Sequence, residues 1–253
     1  MAECRRNLVE CSQLIKCKTP SKLAPIDAHV CSAYHKFLSS LLRNHQQKLV
    51  TRCDKFFHLG ESHCLSFAHH NLDISGKTFS IIPKLTLGAK AYHFASRQKN
   101  PYKSITEAHI NSLPDCSNLL ISYGEIDCRA HEGILKAQST LKKPLEEIVV
   151  ETVDGYVEWV LRKNIYKKHQ LNFINVPAPT FKHHLSKQTN RNVSEVIWYF
   201  NNSLANKLDA SKLKLIDVYQ HTVDNSGFSN GVYHCDDTHL DSRIIPKINQ
   251  IFS

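Results

Sequence analysis

Lys55-Phe56-Phe57-His58-Leu59-Gly60-Glu61-Ser62-His63 is the stretch on which the fold turns. Residues 55–59 read as a strand, Gly60 ends it, and the chain becomes polar at once. A short, almost unbroken apolar strand belongs in a sheet buried on both faces. The same signature returns four times. It is seen around Thr78–Pro83, and in Asn118-Leu119-Leu120-Ile121-Ser122-Tyr123 before Gly124. It recurs in Leu171-Asn172-Phe173-Ile174-Asn175-Val176 before Pro177, and in Leu213-Lys214-Leu215-Ile216-Asp217-Val218.

Helical spacing fills the gaps. Pro144 suits a first helical turn, and Leu145, Ile148, Val149, Thr152, Val153, Tyr156, Val157 and Val160 follow in steps of three and four. Asn192, with Glu195 three residues on, predicts a cap for a helix burying Val193, Val196, Ile197, Phe200 and Leu204. Leu240, Ile244, Ile245, Ile248 and Ile251 predict a last helix, its start kinked or shifted by Pro246. Strand–helix alternation implies βαβ units and a parallel sheet with helices on both faces.

The 253 residues are 42% hydrophobic and 22% charged, with only 8 Gly and 9 Pro, so a packed core is expected and disorder is not. This length suits one large α/β domain, or one domain with a small extension. Residues 1–50 form that extension. They lack glycine, and Val30, Tyr34, Phe37, Leu38, Leu41 and Leu42 make a helical stripe. Residues 51–253 form the α/β domain.

No apolar run approaches the roughly 20 residues of a membrane span, and the N-terminus lacks the apolar core of a secretory signal. Nine cysteines, an odd count without a C-x-x-C pair, fit neither a disulfide framework nor a zinc ribbon. Reduced, half-buried thiols in a cytoplasmic protein are the expectation. The net charge is +9, concentrated in two segments. Residues 1–60 hold ten Lys/Arg against four Asp/Glu, and residues 162–191 hold seven against none. These segments offer a face for an anionic partner, or simply solubility.

In such sheets, sites form at the carboxyl ends of the strands. Three polar clusters fall there: Gly60-Glu61-Ser62-His63, Gly124-Glu125-Ile126-Asp127-Cys128-Arg129, and His234-Cys235-Asp236-Asp237-Thr238-His239. A serine after a sharp strand–helix turn can become a nucleophile if a base reaches it. Asp236 and His239 could supply base and orienter. Each signal alone has a plainer reading, since a serine after glycine is often a helix cap and D-x-x-H pairs arise by chance.

Taken in order, these blocks over roughly residues 53–250 resemble the SGNH (GDSL-type) hydrolases. The blocks are Gly60-Glu61-Ser62, a lone glycine in Leu85-Thr86-Leu87-Gly88-Ala89, the G-x-x-D of Gly124–Asp127, and D-x-x-H at Asp236–His239. Their wording resembles a divergent bacterial branch of that family. The resemblance implies a three-layer αβα sandwich on a five-stranded parallel sheet (flavodoxin-like). It also implies Ser62 as nucleophile, His239 and Asp236 as base and acid, and Ser62 and Gly88 as backbone oxyanion donors. The third block usually carries asparagine where this chain has Ile126, which donates nothing. Losing such a donor costs on the order of 100- to 1,000-fold in rate. Arg129 or His63 could substitute. Glu125, Asp127, Arg129 and His63 are otherwise expected to bind substrate or to lock the loop.

No G-x-S-x-G elbow, dinucleotide fingerprint or P-loop is present. His131-Glu132 lacks the second histidine of a zinc helix, so neither a metal nor a cofactor is expected. The function implied is serine-dependent hydrolysis or transfer of an ester's acyl group, with a small acylated substrate such as an acylated carbohydrate. The alternatives are a non-catalytic binding or accessory domain and, further off, a metal-dependent hydrolase.

Overall fold

The computed structural model describes residues 36–39, 41 and 53–252. The chain divides into two units, Met1–Lys48 and Leu49–Ser253. In the first, residues 36–39 and 41 are helical, with Phe37 and Leu38 buried. Val30, Tyr34 and Leu42 of the expected stripe lie outside the described residues.

The second unit is built on a six-stranded sheet. Its strands are β1 (Asp54–Gly60), β2 (Asn71–Ile74), β3 (Lys77–Leu85), β4 (Asn118–Ser122), β5 (Gln170–Ile174) and β6 (Lys214–Ile216). They lie side by side in the order β2-β3-β1-β4-β5-β6. Five are parallel, but β2 runs antiparallel to β3. The sheet is therefore mixed and six-stranded, not the five parallel strands expected. The added strand is a hairpin. Ser75 and Gly76 both take positive φ (49° and 77°), the backbone of a two-residue type I′ turn that returns Ile74 onto Lys77. Only Leu72 of β2 is buried, so its four residues carry too little apolar pattern to stand out.

Successive side chains point to opposite faces of a strand, and both faces of this sheet are covered. Phe57, Leu59, Leu119, Ile121, Leu171 and Phe173 share one core. The helices on that side are α1 (Ala91–Ala95), α2 (Pro101–Ser112), α3 (Gly133–Leu141), α4 (Leu145–Asn164) and α5 (Lys187–Ala210). Phe56, Leu120, Ile174 and Ile216 share the other core with Ile244, Ile245 and Ile248. A short α6 (Tyr219–Thr222) follows β6, and α7 (Ile245–Phe252) closes the second face.

Local chemistry sets the helix ends. Glu146 and Glu147 sit in the first turn of α4, and Arg162 and Lys163 in its last, each charge opposing the helix dipole. Helix α5 begins earlier than expected, because Ser186 is the cap and accepts the Thr189 N–H at 3.0 Å. Asn192 lies inside the helix, bonded to Gln188. Pro246 does not kink α7: it falls in the first turn, where its missing N–H has no partner to lose.

Among the described residues Cys53, Cys64, Cys116, Cys128 and Cys235 form no disulfide; Cys64 and Cys128 are buried and Cys116 is exposed. Among the described residues no helix is long and apolar enough to cross a membrane.

Candidate active site

β1 delivers the first cluster. Gly60 pairs with Ser122 of β4, and a Cβ there would overlap Ser122 Oγ and come within 2.8 Å of its carbonyl. Glycine is what lets the two strand ends close up. The chain then enters a 3₁₀ turn, Ser62–Leu65, with Glu61 accepting the His63 N–H at 3.1 Å.

The last cluster is folded against itself. The Cys235 N–H donates to the His239 carbonyl at 2.9 Å and the Asp241 N–H to the Tyr233 carbonyl at 2.8 Å. Asp236 Oδ1 accepts the N–H groups of Thr238 (2.8 Å) and His239 (2.6 Å). Asp236 Oδ2 meets His239 Nδ1 at 2.8 Å, and His239 Nε2 meets Ser62 Oγ at 2.8 Å. Burial works to raise the Asp236 carboxyl, but the hydrogen bond and charge of His239 outweigh it and hold it at about 2. An ionised Asp236 keeps a proton on Nδ1, so that Nε2 is the nitrogen left to exchange a proton with Ser62 Oγ.

A second acid–imidazole pair flanks the serine. Glu61 Oε2 accepts the Ser62 hydroxyl at 2.8 Å, and Glu61 Oε1 meets His63 Nδ1 at 2.8 Å. His63 Nε2 reaches the Thr238 carbonyl at 3.1 Å. Burial disfavours both charges, but each stabilises the other: Glu61 is held below the usual carboxylate range and His63 is raised above the usual imidazole range. The His63 and His239 rings lie 4.8 Å apart. Below them His58, fully buried, bonds Ser122 Oγ through Nε2 and stacks on Phe67. Burial drops it to about 3, against the pull of Glu61.

The third cluster divides. Arg129 forks onto Glu125, with Nη2 2.7 Å and Nε 3.0 Å from Glu125 Oε2. Burial disfavours the guanidinium, but Glu125 outweighs it and raises its proton affinity. Asp127 points elsewhere, accepting the N–H groups of Ala91 and Tyr92 at the start of α1. Burial pushes its carboxyl up to about 6 despite those two bonds. Ile126 is buried and belongs to neither core. Gly88 lies in the turn after β3, where the Thr86 N–H holds the Gly60 carbonyl at 2.8 Å and the Ala89 N–H the Thr86 carbonyl at 3.1 Å.

Ser62, His63, Asp236 and His239 thus converge, whereas Asp127 serves a helix start and Arg129 serves Glu125. Neither substitute for the missing asparagine is free: Arg129 is forked onto Glu125, and both His63 nitrogens are engaged. Sequence reasoning gave Glu61 no role. Its signal was an acid and a histidine immediately flanking the serine.

Glu61, His63 and Glu125 bring three ligand-type atoms within 4.8 Å of one another. A cation there would have to displace His63 from Glu61 and Arg129 from Glu125. A cavity of about 20 Å³ beside them, lined also by His58, Ser66, Ser122 and Asn175, has room for little more than a water molecule. It is too small for an acyl group. A larger open groove of about 430 Å³ is lined by Arg191, Glu195, Trp198, Tyr199, Tyr219 and Phe228. The Phe228 ring sits 5.3 Å from Phe181, and the adjacent Thr180 hydroxyl donates to the Asp237 carbonyl at 2.6 Å. The groove is thereby linked to the His239 loop.

No protein-family model and no curated protein matches the sequence. Among solved structures, the chain is similar to a protein described as a platelet activating factor from Streptococcus pneumonia. They share 12% identity at a TM-score of 0.53, over 90% of this chain and 97% of that one. An acylhydrolase from Bacteroides fragilis (15% identity, 84% and 95% covered, TM-score 0.49) and a GDSL-like lipase from Bacteroides thetaiotaomicron (13%, 85% and 92%, 0.48) also align. At these identities the likeness is one of fold.

Proposed function

We propose that the chain is a serine-dependent ester hydrolase or acyl transferase of SGNH type. The observation that carries this reading is the run Asp236–His239–Ser62, with both contacts at 2.8 Å. Ser62 Oγ attacks the acyl carbonyl while His239 Nε2 takes its proton. Asp236 holds the imidazole and stabilises its charged form. The backbone N–H groups of Ser62 and Gly88 receive the oxyanion. The tetrahedral intermediate collapses, His239 returns the proton to the departing alcohol, and Ser62 is left acylated. Water or a second alcohol, deprotonated by His239, then releases the acyl group and restores Ser62.

The substrate class we assign is an acylated carbohydrate. The support is the open groove, where Trp198, Tyr199, Tyr219 and Phe228 offer flat apolar surfaces beside Arg191 and Glu195. Such a lining suits a ligand with apolar ring faces and a polar rim. An anionic partner would meet Lys182, Lys187 and Arg191, which make no ion pair among the described residues; Lys163 and Lys167 are paired with Glu107 and Asp115. The odd cysteine count without a C-x-x-C pair supports a reducing, cytoplasmic setting.

Ile126 favours one competing reading, a binding domain that keeps the pocket without the rate. Labelling with a fluorophosphonate decides between them. The enzyme reading expects covalent modification that Ser62→Ala and His239→Ala abolish. An unlabelled Ser62 in folded protein would leave the binding reading.

A further inference from the structure

Resting on the serine-hydrolase reading, we propose that Glu61 and His63 are a second, positioning pair: Glu61 orients the Ser62 hydroxyl, and His63 clamps the Asp236–His239 loop onto the nucleophile turn.

The proton count at His63 comes from its partners. Nδ1 faces a carboxylate oxygen and Nε2 a backbone carbonyl. Both are acceptors only, so both ring nitrogens must carry a proton, and His63 is an imidazolium. The peptide it holds lies between the acid and the base. Asp236 takes the Thr238 N–H and His63 takes the Thr238 carbonyl, so the loop is gripped on both sides one residue before His239. This is the tertiary contact that links the Glu61 carboxylate to the His239 loop.

Ser62 has one hydroxyl proton and two partners, Glu61 Oε2 and His239 Nε2, each at 2.8 Å. With His239 neutral, the proton points to Nε2 and the attack geometry is set. With His239 protonated, its Nε2–H donates to Oγ and the hydroxyl turns to Glu61. Glu61 therefore holds Oγ in the state in which His239 carries its second proton, and is itself kept in place there by the side chain and N–H of His63.

Several charged or titratable groups surround His63. Glu61 lies on its own turn, Glu125 and Arg129 on the loop after β4, His58 on β1, and His234 and His239 on the last loop. The two carboxylates and the Thr238 carbonyl favour the imidazolium and outweigh the cost of its burial. Once His63 loses its proton, one nitrogen faces an acceptor with a lone pair, and the clamp opens.

The test uses the full chain. The rate of p-nitrophenyl acetate hydrolysis is measured from pH 6 to 11 for the wild type, Glu61→Gln, His63→Leu and His63→Gln. The ¹⁵N shifts of the His63 ring are recorded at pH 7.5. The expected wild-type profile falls in kcat on the alkaline side, well above the ordinary imidazole range, while KM holds. His63→Leu should lose roughly 10- to 100-fold in kcat, the scale of a misplaced catalytic group, and Glu61→Gln should lose less. His63→Gln, with two N–H groups that do not titrate, should regain part of that loss and show no alkaline fall. A His63 ring protonated on both nitrogens is expected. A neutral ring, an alkaline fall that survives in His63→Gln, or wild-type kcat in His63→Leu would overturn the proposal. A role in folding alone would lower thermal stability and leave the pH profile in place. If the wild type neither hydrolyses ester nor labels at Ser62, the enzyme reading fails, while the ring protonation still decides the pair.

Discussion

The Asp127 carboxylate lies 2.7 Å from the Ala91 N–H, joining the loop after β4 to the first turn of a helix 36 residues earlier. A second bond, from the Tyr92 N–H, is 3.0 Å. Asp127→Ala strands both N–H groups and is expected to cost about 1–3 kcal/mol in chemical denaturation. The pH dependence has a definite sign. The carboxyl ionises near 3.8 when unfolded and at about 6 when folded. Its contribution is therefore fullest below pH 3.8 and is lost as pH rises through about 6. The stability difference between wild type and Asp127→Asn should shift against the wild type over that interval.

His58 works in the opposite direction. Its folded value of about 3 lies below the unfolded 6.5, so between those values the fold keeps the ring neutral while the unfolded chain takes up a proton. Stability is held above pH 6.5 and drains away as pH falls towards 3. His58→Gln, which can still donate to Ser122, should flatten that acid limb. Urea midpoints at pH 7, 5 and 4 measure it; equal slopes for both proteins would show that another group titrates there.

Gly60→Ala tests the strand closure that carries the serine. The new methyl meets Ser122, both side chain and carbonyl. A loss of about 1–3 kcal/mol is expected, together with weaker labelling of Ser62. Adding Ser122→Ala should give only partial relief, because the carbonyl at 2.8 Å remains.

Ile126→Asn restores the side-chain donor that the third cluster lacks. Turnover of p-nitrophenyl acetate should rise, with a ceiling of about 3–4 kcal/mol in transition-state stabilisation. Stability should fall, because a buried apolar side chain becomes polar. Arg129→Met should behave differently, lowering thermal stability by leaving Glu125 unpaired. Most of that loss should return in the double variant Glu125→Leu/Arg129→Met. If Arg129→Met instead abolishes kcat with stability intact, the guanidinium acts on the reaction.

Much of the fold could be read because its strands are nearly pure. Phe56 to Leu59 and Leu119 to Ile121 bury both faces, so apolar runs and terminal glycines reveal them. β2 escaped because one buried leucine is no pattern, and the Ser75-Gly76 turn is short. The start of α5 was misplaced because Asn192 imitates a cap, whereas Ser186 makes the bond. At the site, Ser62, Asp236 and His239 were legible from residue type and order. The partner of His63 was not, since a backbone carbonyl at Thr238 has no sequence signature. Nor was the turn of Asp127 towards α1, which depends on where β3 ends relative to β4.

The serine and its proposed base stand 177 residues apart in the chain, on the first strand turn of the domain and the last loop before its final helix. On the proposed reading, a nascent chain carries Ser62 long before its base is made, and the pair stays incomplete while the residues between them are synthesised. On that reading, ester cleavage would switch on only when the Asp236–His239 loop has been made and docks on Ser62. Any fragment stopping short of Asp236 would be inert, however well its sheet had formed. A two-piece version cut within the exposed turn around Ser226 would regain activity only on reassembly, making the domain a natural split reporter.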